Sequence, residues 1–156
     1  MMANHLVKEA WQQHTITELQ QYDFAKAEVR YGKENSRIDL LLENQTVSPV
    51  LQCYVEVKNV TLAKDGVGYF PDAKSERACK HLRELMYLVE QGAQAVIFFC
   101  VPREDVDEVR PADRVDPVYG DTLRQAAQNG VQTLAYKAQV SSEQINLTSA
   151  IPVNLS

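Results

Sequence analysis

The chain of 156 residues is 45% hydrophobic and 24% charged, the composition of an ordinary folded domain long enough to bury a core. Its net charge of −5 excludes a protein that coats nucleic acid through bulk positive charge, and the deficit is uneven: residues 1–83 carry 11 acids and 11 bases, residues 84–156 carry 10 and 5. The longest uninterrupted apolar run, Ala95 to Val101, is far short of the roughly 20 residues that cross a bilayer.

The opening "MMANHLVKEAW" has neither the apolar stretch nor the small-residue cleavage site of a secretory signal. Cys53, Cys79 and Cys100 are widely spaced on apolar segments with no C-x-x-C pair, so reduced core thiols, a cytoplasmic location and no zinc site are expected. One domain over residues 1–156 is expected, with its core at about 25–140.

"NHLVKEAWQQHTI" places Leu6, Ala10 and Trp11 at helical spacing. "AKAEVRYG" alternates as a strand ending at Gly32, and after the polar turn "KENS" comes the strand "RIDLLLEN". A connection containing Pro49 leads into "CYVEVKNV", where Cys53, Val55 and Val57 share one face and Tyr54, Glu56 and Lys58 the other. "TLAKDGVGYFPDAK" reads as a loop, in which Tyr69 and Phe70 suit covering the sheet edge better than stacking on a base. "SERACKHLRELMYLVEQ" is an amphipathic helix stopped by Gly92, with Ala78, Leu82, Leu85 and Val89 inward and Arg77, Lys80, His81 and Glu84 outward. "QAVIFFCV" is a strand covered on both faces. The acidic segment 103–121 reads as a loop, followed by the helix "DTLRQAAQN", the strand "VQTLAYKAQV" and a tail. The order α-β-β-β-α-β-α-β predicts a mixed α/β sheet flanked by helices, with a meander of three strands and a crossover to a parallel central strand.

If "RIDLLLEN" and "CYVEVKNV" pair antiparallel, Asp39 and Glu56 project from one face, with Lys58 one pleat further along. Adjacent carboxylates repel unless a cation lies between them. Magnesium suits such a pair, with the Val57 carbonyl as a further ligand, and a lysine beside it can orient a water for attack on phosphorus. The same E-x-K triplet also suits a cross-strand ion pair on a solvated face.

The segments "RYGKENSRIDLLLEN", "CYVEVKNVTLAKDGVGYFPDAKSERACKHLRELMYL", "GAQAVIFFCVPRED" and "RVDPVYGDTLRQAAQNGV" resemble the sugar fermentation stimulation protein A family, from about Glu28 to Tyr136. The resemblance implies a PD-(D/E)XK, restriction-endonuclease-like fold, with Asp39 as the motif aspartate and Glu56 and Lys58 as the E-x-K pair. Ile38 stands where the motif has proline. It further implies Mg2+ (or Mn2+) as cofactor, contact with DNA without sequence specificity, and a link to regulation of sugar, notably maltose, utilisation. Family members carry an N-terminal OB-fold domain that this sequence does not show, and weaker DNA binding is expected from its absence.

Glu28 is a candidate further metal ligand, with Glu9 as the competing choice, and each also suits a surface acid. Arg77, Lys80 and His81 resemble the family's "R…KHL" element and, with Lys74, are candidate phosphate contacts, or else an ordinary solvated helix face. Two functions follow: metal-dependent phosphodiester hydrolysis, or DNA binding by a nuclease fold that does not cut. A two-carboxylate glycosidase fits less well, because the lysine has no part in that chemistry.

Overall fold

The computed structural model describes residues 2–31, 36–141 and 144–156. Helix α1 (Met2–Gln12) buries Ala3, Val7 and Ala10 at helical spacing, and a short 3-10 turn at Thr17–Leu19 redirects the chain. Strands β1 (Phe24–Tyr31), β2 (Ser36–Asn44) and β3 (Leu51–Asn59) follow as the expected antiparallel meander. The expected strand end at Gly32 and the first three residues of the polar turn "KENS" lie outside the described residues, and its Ser36 opens β2.

The segment after β3, expected as a loop, is a hairpin of β4 (Leu62–Lys64) and β5 (Val67–Phe70). Its two-residue turn is Asp65-Gly66, with φ of 52° and 80°; both residues need positive φ, which Asp tolerates and Gly adopts freely. Helix α2 (Glu76–Glu90) then leads to β6 (Gln94–Val101), which lies parallel to β3. The acidic segment, also expected as a loop, contains β7 (Glu108–Pro111), which pairs parallel with β5 to complete a second, three-stranded sheet. Helix α3 (Pro117–Gln128), β8 (Gln132–Val140) and β9 (Ile145–Ile151) finish the chain. β9 occupies what the sequence suggests is a tail. The main sheet has the order β1-β2-β3-β6-β8-β9.

Two apolar layers cover this sheet. Ile97, Phe99 and Val101 of β6 join the side chains of α2 and α3, while Val96, Phe98 and Cys100 join α1. Every residue of β6 after Gln94 is buried, which is why the strand tolerates no polar position. Cys53, Cys79 and Cys100 are free and buried. Among the described residues no helix is long and apolar enough to cross a membrane.

Asp116 fixes where α2 sits. It caps α3 by accepting the Tyr119 N–H at 3.0 Å through Oδ1. Through Oδ2 it accepts the Ser75 N–H at 2.9 Å, and Ser75 is in turn the N-cap of α2. One buried carboxylate therefore joins the starts of two helices. Tyr119 packs edge-on against Phe70, which lies against Phe99, so the same corner is locked by aromatic contacts. Asp116→Ala is expected to lower stability by about 2–4 kcal/mol, since it removes a cap and leaves two N–H donors short of a partner. Urea unfolding checks this, with Asp116→Asn expected to lose less.

Candidate functional site

β2 and β3 pair from Asn44↔Leu51 to Leu40↔Val55 and then part. The next residues along, Asp39 and Glu56, stand at the mouth of that gap. There Asp39 Oδ2 accepts the Val57 N–H at 2.8 Å, taking a donor that the ladder would otherwise use. Its Oδ1 accepts the side-chain amide of Asn4, on α1, at 2.8 Å. In an extended strand the N–H and C=O of one residue point to the same side, so the Val57 carbonyl also faces the gap.

Glu56 is only 4% exposed. Its Oε1 lies 3.5 Å from Lys58 Nζ and 3.3 Å from His81 Nδ1, and Lys58 Nζ lies 3.0 Å from that same nitrogen. Its Oε2 is buried with no hydrogen-bond partner among the described residues. An acceptor left bare beside a second carboxylate is the feature a cation would satisfy. Two carboxylates and a carbonyl, with waters to complete the shell, fit a hard divalent ion.

The electrostatics agree with close carboxylates. Burial, and then the charge on Glu56, raise the Asp39 pKa to about 6, against a pull the other way from the Val57 and Asn4 hydrogen bonds. Burial also pushes Glu56 upward, but the polar contacts gathered at its carboxylate, the charge of Lys58 among them, outweigh this and hold it below the ordinary carboxylate value. The structure thus brings Asp39, Glu56, Val57 and Lys58 together.

Glu28 lies across from Asp39 in the register of β1 and β2, between the pairs Ala27↔Leu40 and Val29↔Ile38, and Glu9 lies on α1. Both side chains are exposed, Glu28 at a positive φ of 56° in β1. Among the described residues no three His, Cys, Asp or Glu side chains gather as a metal cluster. Lys74 and Arg77 are exposed and Lys80 partly so, and no ion pair among the described residues engages them. His81 departs from that expected face. It is 6% exposed and turned to Glu56 and Lys58, and Glu84 beside it is buried as well. The signal was present: His81, Leu85 and Leu88 follow i, i+4, i+7, so they share one inward stripe. Asn4 carried no such signal, because its meeting with Asp39 spans 35 positions.

Phe70 covers the core as expected, whereas Tyr69 lines a groove of about 660 Å³ along the second sheet. That groove contains none of the acid pair, and its Arg110 and Arg124 are already paired at 2.7 Å with Glu108 and Asp113.

A family model described as the sugar fermentation stimulation protein RE domain matches residues 1–144. The chain belongs to the sugar fermentation stimulation protein family. Sugar fermentation stimulation protein homologs of Geobacter metallireducens and of Shewanella sp. (strain ANA-3) are 53% and 48% identical over 154 and 153 residues. These stretches cover 99% and 98% of this chain but 65% and 64% of those proteins, so the chain spans just under two thirds of the length of the curated relatives it matches. The solved structure of Pyrococcus furiosus SfsA in complex with Ca2+ superimposes with a TM-score of 0.85 at 26% identity, over 95% of this chain and 62% of that one. In this family member, α1, β1–β3, α2 and β6 form a mixed α/β core, in the order that the PD-(D/E)XK resemblance implies.

The raised Asp39 pKa has a definite sign. A pKa above the unfolded value of 3.8 stabilises the fold while the proton is bound, and that contribution is lost as pH rises through about 6. In metal-free buffer, wild type is therefore expected to lose stability relative to Asp39→Asn between about pH 4 and about pH 7. Urea unfolding of both proteins across that range checks it; a flat difference would mean that Asp39 ionises without penalty, and the opposite slope that the fold favours its charged form.

Proposed function

We propose that this domain binds DNA and hydrolyses phosphodiester bonds with a divalent ion, Mg2+ or Mn2+, at Asp39, Glu56 and Lys58. The observation that carries this reading is the bare, buried Oε2 of Glu56 beside Asp39, with a lysine at the same mouth. Binding of Ca2+ by the Pyrococcus furiosus relative supports a divalent ion in this fold.

Asp39, Glu56 and the Val57 carbonyl would hold the ion. When bound, it offsets the carboxylate charge and polarises a phosphoryl oxygen. Lys58, with a side chain 13% exposed, keeps its stem against the strand and its ammonium at the mouth. There it can orient the attacking water and stabilise charge developing on the phosphate. Asn4 and the Val57 N–H hold Asp39 still while this happens. Lys74, just before α2, and Arg77 and Lys80 along it are proposed to neutralise DNA phosphates without reading sequence. The family's name ties such an activity to sugar use; the domain's contribution would be made on DNA.

Purified protein incubated with supercoiled plasmid is expected to nick it in Mg2+ or Mn2+ and not in EDTA. Glu56→Gln and Lys58→Met are each expected to slow nicking by at least about 100-fold while the fold is kept. A wild type that binds plasmid with a steep salt dependence yet never cuts it would leave a DNA-binding protein on a nuclease fold.

A further inference from the structure

The stripe of α2 that faces the sheet is apolar except at His81 and Glu84. A leucine at position 81 would continue the stripe of Leu85 and Leu88, so burying an imidazole there costs stability unless its polar atom is used. Its Nδ1 is used twice over: 3.0 Å from Lys58 Nζ and 3.3 Å from Glu56 Oε1. One ring nitrogen offers either a lone pair or a proton, so it cannot serve both neighbours. An ammonium has only protons to give, and the ammonium contact is the shorter. Nδ1 is therefore the acceptor and Nε2 carries the ring proton.

This arrangement has a consequence for the carboxylate. Lys58 reaches Glu56 at the longer 3.5 Å and only through Oε1, while Oε2 stays bare. Without His81, the flexible lysine stem would let the ammonium close on the carboxylate as a simple ion pair. We infer that His81 is a positioning residue: its Nδ1 holds the Lys58 ammonium to one side of Glu56, keeping Oε2 open for a cation and Lys58 directed at the substrate. The inference rests on the hydrolytic reading above, and it assigns His81 to Lys58 instead of to DNA.

The test uses the full chain with two variants. His81→Asn sets an acceptor oxygen near the place of Nδ1; His81→Leu keeps the volume and removes the acceptor. The first readout is the nitrogen–proton resonance of the Lys58 side-chain ammonium, assigned with Lys58→Met and recorded without metal or DNA. An ammonium held by a buried acceptor exchanges slowly enough to be seen. The resonance is expected in wild type, retained in His81→Asn and lost in His81→Leu. The second readout is plasmid nicking at saturating Mg2+, with DNA affinity measured separately. His81→Leu is expected to lower the rate constant by about 10- to 100-fold with affinity unchanged, and His81→Asn to recover most of it.

A resonance unchanged in His81→Leu, or no resonance in well-folded wild type, overturns the inference; so does a loss of DNA affinity with the rate constant preserved. If His81→Leu does not fold, wild type and His81→Asn decide by the same resonance. If wild type never nicks DNA, hydrolysis fails as a reading, and the resonance pattern still decides whether His81 holds Lys58.

Discussion

The hydrogen bond from the Val57 N–H to Asp39 Oδ2 governs the site, because it stands where the ladder between β2 and β3 should have continued. Had pairing run past Leu40↔Val55, the polar groups of Val57 would have been consumed within the sheet. Asp39 instead satisfies the donor and leaves the carbonyl toward the gap. On its other side β3 stays in parallel register with β6 from Cys53 to Asn59. The gap therefore opens at one edge of a strand whose other edge is rigidly held. Like charges are thereby gathered on a firm frame, and the cost is visible in the raised pKa of Asp39.

A pair of carboxylates on a sheet becomes a site only when something covers it, and α2 does so. Its start is tied by Ser75 and Asp116 to the start of α3. Its inward stripe seats Leu82 and Leu85, both fully buried, against the strands. His81 lies one residue before Leu82 and one turn before Leu85, so it is held in place by apolar packing that has nothing to do with charge. The corner that holds the helix and the chemistry beneath it thus share one element, and loosening Asp116 would be felt at Glu56.

Much of this was legible from residue order. Alternation in 51–59 sets Glu56 and Lys58 on one face whatever the fold, and the seven apolar residues from Ala95 name the central strand. The second sheet was hidden because its strands are three or four residues long and β5 meets β7 across some forty positions of chain. Within β7, Glu108 and Arg110 face outward and pair with each other, so only Val109 marks it as a strand, and the charges around it look like loop. The Asp65-Gly66 turn was the readable clue to the hairpin. His81 was misplaced for a different reason. Grouping by charge set it with Arg77 and Lys80, whereas helical geometry sets it with Leu85 and Leu88. Residue type and position disagreed, and position won.

The net charge of −5 looks hostile to a polyanion until the ion pairs are placed on the chain. In the acidic half, Arg103, Arg110, Arg124 and Lys137 each pair with an aspartate or glutamate of that same half. Such exposed pairs add little stability, but they spend the half's cations on its own acids. In the balanced half, Lys74, Arg77 and Lys80 carry no ion pair among the described residues, and they lie at or along the helix that covers the carboxylates. Local potential near a site follows the nearest unpaired charges more than the sum over the chain, since charges beyond about 8–10 Å are screened at physiological salt. A phosphate backbone approaching Asp39 and Glu56 along α2 would thus meet Lys74, Arg77 and Lys80 interspersed with exposed Asp72 and Glu76, and this local mixture would weigh on it more than the acidic total.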